Sequence, residues 1–261
     1  MLSLRAIALL YLTLLLLLPL GVVFWRTFEH GFGTAWHWVT TPAATSAFWL
    51  SVTVAAIAVP LNTVFGIGAA LVIVRGRGRG RRVLDALIDL PFVVSPVIVG
   101  LALILAYGQG GWFSPHGVRI IYAAPGIALA TVFVSLPFVV REVTPVLIEV
   151  GDEQEQAAAT LGASSWQTFW RVTLPSIRWG VAYGVVLTTA RALGEIGAVL
   201  VVSSNVAGST LTLPLLVNQR ASQPGAGALD GAYAAATELA LMSLLVLIVM
   251  TFISPRKEDS R

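Results

Sequence analysis

The chain has 261 residues, of which 57% are hydrophobic and only 11% charged, with a formal charge of +3; a water-soluble domain carries about 25% charged residues, so a soluble protein is excluded. There is no cysteine, which rules out disulfides, thiolate metal sites and cysteine nucleophiles. Fifteen of the sixteen basic residues are arginine and the one lysine is Lys257, so no lysine sits in the glycine-rich turn that a P-loop ATPase requires.

Ala6 to Val23 predicts a first transmembrane helix, too long for the apolar core of a signal peptide and without a small-residue cleavage pattern. Trp25 is placed to sit at the interface. Residues 26–47 read as an outer loop, in which His30 and His37 lack the further ligands of a zinc site. Phe48 to Val74 predicts a second helix, interrupted by Pro60 and Asn62, where Gly66 and Ala70 permit a close helix neighbour. The run RGRGRGRR, Arg75 to Arg82, lies between two apolar stretches. It reads as a cytoplasmic loop under the positive-inside rule rather than as a nucleic-acid patch.

Val83 to Tyr107 predicts a third helix, kinked or broken by Pro91 and Pro96. Asp85 and Asp89 fall in its first turns, where the helix dipole favours acids, and Arg81 and Asp85 have the spacing of an i, i+4 pair. Gly108 to Ile121, with His116 and Arg119, is a short outer loop. Tyr122 to Val140 is a fourth helix, with Arg141 and Glu142 marking the return to water. Trp179 to Val202 is a fifth and Gly231 to Ile253 a sixth, separated by a Gly/Pro/Ser/Thr-rich outer segment at 203–229. The expected architecture is an all-α integral membrane protein of six transmembrane helices. Its parts are a first helix and outer loop at 1–46, a main membrane domain at 47–253 with a polar loop at 142–178, and a tail at 254–261.

Six spans put both termini on one side. Twelve basic residues fall on that face: Arg5, the five arginines of 75–82, Arg141, Arg171, Arg178, Arg256, Lys257 and Arg261. Arg26, Arg119 and Arg220 fall on the other, and Arg191 lies inside a helix. This asymmetry predicts cytoplasmic termini and a cytoplasmic polar loop.

That loop, Gly151 to Ile177, is too polar for hydrocarbon. Asp152 to Leu161 is rich in helix formers, and Gly162 is expected to stop the helix. Ser164 or Ser165 then caps a second helix, Trp166 to Val172, with Leu174-Pro175 ending it. Ala157, Ala158 and Ala159 give a smooth face that a partner can approach. An ordinary helical hairpin linking two spans is the alternative.

Gln156-Ala157-Ala158, then Gly162 after three residues, then Val172-Thr173-Leu174-Pro175 after nine more, resembles the E-A-A…G…I-x-L-P signature of ABC importer permeases. Gln156 stands where Glu is usual and Val172 where Ile is usual. The neighbouring acid, Glu155, points about 100° around the helix, so the salt bridge of the usual Glu lacks its residue at 156. Leu87 to Leu101, Leu136 to Val143 and Gly162 to Gly208 further resemble the sulfate/thiosulfate permeases of the CysW type, to which molybdate permeases are related. The likeness weakens after Leu215, where 217–228 is Gly/Pro-rich. It implies a type I importer fold in the cell membrane, with a second, related permease forming a heterodimer. ATPase subunits that bind ATP and Mg dock on the loop, through Glu155, Gln156, Ala157, Ala158, Leu161, Gly162, Ala163, Leu174 and Pro175. An extracytoplasmic sulfate-binding protein delivers the anion. The chain itself then holds no catalytic residue, metal or cofactor and binds no nucleic acid.

Arg191 and Glu195 lie at i, i+4 spacing within the fifth span, where each charge costs about 2.5–3.5 kcal/mol. They read either as a structural ion pair or as a transient source of positive potential for a passing oxyanion. Ser203, Ser204, Asn205, Gly208 and Thr210 offer hydroxyls and backbone N–H groups that suit an oxyanion, and the resemblance places gate contacts there; a solvated loop is the alternative. Sulfate, thiosulfate, molybdate and tungstate stay open as substrates. An ion-coupled transporter or channel acting alone would leave the polar loop without a role, and a membrane-bound enzyme has no nucleophile–base pair to support it.

Overall fold

The computed structural model describes residue 7 and residues 9–113 and 119–253; the expectations for Arg5, His116 and the tail fall outside them. Among the described residues every regular element is helical: a π-turn Thr13–Leu17 with α1 (Leu18–Phe28), α2 (Phe32–Val39), α3 (Pro42–Arg75), α4 (Gly80–Ile88), α5 (Leu90–Val93), α6 (Pro96–Tyr107), α7 (Ala124–Val150), α8 (Glu153–Thr160), α9 (Ser165–Thr168), a π-turn Phe169–Thr173, α10 (Leu174–Leu193), α11 (Gly197–Val202), α12 (Leu213–Ala221) and α13 (Ala226–Ile253).

Among the described residues four stretches are long and apolar enough to cross a membrane: Leu9–Phe28, Pro42–Arg75, Ala124–Val150 and Gly227–Val249. Gly80–Val93 and Pro96–Tyr107 make a fifth if counted together, but the chain bends by 110° between them. The third helix is therefore broken. Ser95 is extended, as a residue before proline prefers. The expected fifth span is also in two pieces, because α10 ends at Leu193 and α11 begins at Gly197.

Other features differ from the sequence reading: the second helix is not interrupted at Pro60 and Asn62, and α3 runs continuously through both. The outer loop expected at 26–47 is largely helical, since Pro42 starts α3 with the fixed φ and the dispensable N–H that suit a first helical position. α7 runs to Val150, so Arg141 and Glu142 lie within a helix and do not mark its end. The segment at 203–229 holds α12, with Leu213, Leu215 and Leu216 buried.

The chain forms two compact units. The larger, Val52–Ser204 with Ser243–Arg261, has its core where Val139, Val140, Val143 and Leu147 of α7 meet Ala69 and Ala70 of α3, Ile88 of α4 and Ile177 of α10. Val139 is the closest point. A Cβ at Gly66 would lie 2.6 Å from its Cβ, and one at Gly184 would lie 2.8 Å from its Cα. Only glycine lets α3 and α10 press on α7 there, as small residues do at membrane helix contacts. Asn62 pins the same contact, donating to Val132 O at 3.1 Å and Ser135 Oγ at 2.8 Å.

In the smaller unit, Met1–Ser51 with Asn205–Met242, α12 is held by its ends. The Leu213 N–H donates to Ser51 Oγ at 2.9 Å. Arg220, expected among the outer charges, is instead buried. Its guanidinium donates to Gly231 O and Thr41 Oγ1 and lies 5.0 Å from the centre of the Trp38 ring. His30, expected to be solvated without a partner, stands 3.4 Å from Asp230.

Candidate functional site

The polar loop is built by its turns. Gly151, at φ 69°, ends α7, and Gly162, at φ 84°, ends α8. A side chain at either would meet the steric penalty of left-handed backbone. Ala163 N–H reaches Ala158 O and Gly162 N–H reaches Ala159 O, both at 3.0 Å, closing the last turn in the Schellman manner. Ser164, rather than Ser165, then caps α9. Gln167 N–H donates to Ser164 Oγ, and Ser164 N–H donates to Gln167 Oε1, a reciprocal capping box.

Leu174-Pro175 does not end the second loop helix. The chain passes from α9 through the π-turn straight into α10. A proline removes one helical hydrogen bond and crowds the carbonyl four residues back; the wider π-turn just before it relieves that crowding. Half of the loop is thus one continuous helix with the following span.

The other half is clasped. Arg75, the last residue of α3, donates through Nε to Glu155 Oε2 at 3.1 Å. Its Nη1 reaches Leu147 O at 3.3 Å and its Nη2 reaches Gly151 O. These carbonyls belong to the end of α7, where helical partners run out. Glu155 Oε1 accepts from the buried Thr173 Oγ1 at 2.9 Å. One guanidinium therefore closes α7 and grips α8, and one carboxylate ties α8 to the π-turn. The ion pair is made by Glu155, which turns inward, while Gln156 is exposed.

The candidate docking residues divide accordingly. Gln156, Ala157, Gly162 and Pro175 are exposed, and Leu161 is 88% exposed. Ala158, Ala163, Leu174 and Glu155 are half-buried. Leu161 and Trp166, which is 70% exposed, give the loop an apolar outer surface. Arg75 and Thr173 escaped the sequence reading. Arg75 is the first of a run of arginines and nothing local sets it apart, and Thr173 occupies an unspecified place in the signature.

A second clamp lies beside the first. Arg141 of α7 holds Asp89 with Nε at 2.9 Å from Oδ1 and Nη2 at 2.5 Å from Oδ2, and Nη2 is 2.9 Å from Asp85 Oδ1. Asp85 is thus paired across helices and not with Arg81 as its spacing suggested. A planar guanidinium can take a carboxylate two-pronged, which an exposed pair along one helix rarely achieves.

The two broken spans abut. A Cβ at Gly197 would lie 2.9 Å from Pro96 Cβ, and one at Gly100 would lie 2.8 Å from Ala198 O, so α6 and α11 touch at backbone distance. Arg191 and Glu195 straddle the break, with Nη1 2.7 Å from Oε2. Glu195 Oε1 accepts the Ala198 N–H at 2.8 Å, satisfying the first turn of α11, where negative charge is favoured. The carboxylate side chain is 2% exposed and the guanidinium 32%. The remaining gate candidates are divided between the two units. Ser203 and Ser204 belong to the larger unit, while Asn205, Gly208 and Thr210 belong to the smaller. Ser203 and Thr210 are buried. The Gly208 N–H, expected to be free, donates to Ser46 Oγ at 3.2 Å, and Thr210 Oγ1 accepts from Val206 N–H at 3.3 Å.

Residues 62–259, which contain the clasped loop and both broken spans, match the family described as binding-protein-dependent transport system inner membrane component. The chain belongs to this family. The permease is 49% identical to the sulfate transport system permease protein CysW of Synechocystis sp., over 96% of this chain and 91% of that one. It is 43% identical to the CysW protein of Escherichia coli K12, over 94% and 84%. Its fold matches that of a bacterial ABC transporter involved in the import of the acidic polysaccharide alginate, with a TM-score of 0.78 over 98% of this chain and 95% of that one, at 18% identity. The permease is therefore an all-helical, membrane-embedded ABC importer permease, and its relatives are permease subunits rather than enzymes.

Proposed function

We propose that this permease imports sulfate or thiosulfate across the cell membrane, by alternating access driven by separate ATPase subunits. The observation that carries the coupling is the Arg75–Glu155–Thr173 clasp. It fixes α8 to the base of α3, to the end of α7 and to the helix that becomes α10, while leaving Gln156, Ala157 and Leu161 outermost. A surface so mounted passes displacement on to the spans and does not yield locally. The arginine run begins at the residue that grips the loop, so both lie at one end of the larger unit. The positive-inside rule makes that end cytoplasmic, together with both termini.

In this reading ATP and Mg belong to the partner ATPases, and this chain supplies positioning and passage. ATP binding closes the ATPase pair, the docked loops move inward, and the helices open the path outward; hydrolysis reverses the change. A second, related permease completes the path, and an extracytoplasmic binding protein delivers the oxyanion. The Arg191–Glu195 pair holds the break in the fifth span, and Ser203, Ser204, Asn205, Gly208 and Thr210 lie near the gate. The high identity to permeases named for sulfate supports that choice of anion.

The test is uptake of labelled sulfate by vesicles holding the complete transporter. Uptake is expected to require the ATPase and to be lost in Gly162→Pro, because proline cannot adopt a φ of 84°. Membrane insertion of that variant should remain normal. Uptake without any ATPase sinks the coupling reading. Preferred uptake of molybdate moves the anion assignment and leaves the coupling intact.

A further inference from the structure

The transport role leaves one charged surface unused. Of the five arginines in 75–82, Arg75 is committed to the loop. Arg77, Arg79, Arg81 and Arg82 are exposed, and none meets a carboxylate among the described residues. They lead into α4 and the short α5 that continues it, a segment with two contrasting sides. Ile88, only 2% exposed, joins the core, and Asp85 and Asp89 close on Arg141. Val83, Leu87 and Leu90 are 58%, 54% and 41% exposed. Their i, i+4, i+7 spacing puts them on one helical face.

We propose that this surface binds the anionic phospholipid headgroups of its own leaflet. Four observations converge on lipid. The acids of the segment, Asp85 and Asp89, are neutralised by Arg141 although their side chains stay 42% exposed, so the unpaired outward charge is that of the four arginines. The basic groups are guanidiniums, which pair two-pronged with phosphate oxygens. An exposed apolar stripe adjoins them, as in helices that lie in the membrane interface. Finally, Gly80–Val93 leaves the direction of α6 by 110°, as a segment running along the bilayer surface would. Val83, Leu87 and Leu90 then seat at the edge of the acyl chains while the arginines take the phosphate layer. Clusters of basic residues beside a span are attracted to anionic leaflets in this way.

The consequence reaches the coupling loop. α4 is fastened to α7 through Asp85, Asp89 and Arg141, and α7 to the loop through Arg75. Lipid charge thereby sets how firmly the loop is seated. The inference rests on membrane embedding and not on the anion carried, so its failure leaves the sulfate reading untouched.

The full chain with its transporter partners is purified from bilayers of equal parts phosphatidylglycerol and phosphatidylcholine, and retained lipid is counted by native mass spectrometry. Selective retention of phosphatidylglycerol is expected, falling about tenfold or more when Arg77, Arg79, Arg81 and Arg82 are all changed to Gln. Equal retention by both proteins overturns the proposal. Because those arginines also orient the chain, a second measurement leaves them intact. The chain has no cysteine of its own, so Leu87→Cys takes a single nitroxide label. In the same bilayers the label should be reached by oxygen and shielded from a water-soluble nickel reagent. A label closed to both, with Leu87→Cys cross-linking to the second permease, shows a protein-covered stripe and overturns the lipid assignment. A label open to nickel overturns it equally.

Discussion

At the loop end of the larger unit, Arg75 and Arg141 reach across from other helices to grip Glu155, Asp85 and Asp89. At the broken spans, the contact is made by backbones in touch at Gly100 and Gly197, and the one ion pair, Arg191–Glu195, joins residues a single turn apart. The loop end is thus held by long-range charged contacts on half-exposed groups, and the broken end by close packing around a buried carboxylate. Removing one group should loosen the first and unbalance the second.

The largest effect is expected at the break. Arg191→Ala leaves the buried Glu195 carboxylate without its counter-charge, and breaking such a pair typically costs about 3–5 kcal/mol. A fall in the melting temperature of the purified permease and in its yield should follow, and most of it should return in Arg191→Ala/Glu195→Gln. Normal melting with reduced uptake would assign Arg191 to the path and erase the contrast drawn above.

Arg75→Ala comes next. It removes a charge-assisted bond to Glu155 and two bonds to carbonyls of α7, with an expected coupling to Glu155→Ala of about 1–3 kcal/mol in a double-mutant cycle. Hydrogen exchange should quicken across 153–160 while the core around Val139 stays protected. Arg75→Lys should recover only part, since an ammonium cannot present the same planar fork. Uniform quickening over both regions would show that the clasp serves the whole fold.

The smallest effect belongs to Ser164→Ala. Loss of the cap should cost about 1 kcal/mol, read as a small rise in exchange at 165–168 with transport largely kept. A loss of transport matching that of Gly162→Pro would mean that α9, and not α8, is the docking surface.

What could be read from the sequence follows the same division. Gly162, the Ser164 cap, the Arg191–Glu195 pair and the break before Pro96 depend on neighbours within a turn or two, so residue spacing exposes them. The clasp joins residues 80 positions apart, and Asp89 and Arg141 are 52 apart. Nothing local distinguishes Arg75 from the arginines that follow it. The break at 194–196 was missed for another reason: Gly194 and Gly197 suit close packing as well as interruption, and only the position of Glu195 over the first turn of α11 decides between them. The burial of Arg220 was equally hidden, because its partners Thr41 and Gly231 come from separate parts of the chain.

The uninterrupted passage from the capped turn at Ser164 into α10 has a mechanical meaning. From Leu174 to Leu193 the helix is about 30 Å long, and its backbone hydrogen bonds make it a stiff rod with no joint between the loop and its far end. In the proposed coupling, such a rod carries a displacement of the loop along that length. The first place with compliance is Gly194 to Ile196, where helical bonding lapses and a single ion pair spans the gap. In the proposed mechanism the push of the ATPase and the yielding of the membrane barrier are thereby separated by nearly the thickness of the bilayer.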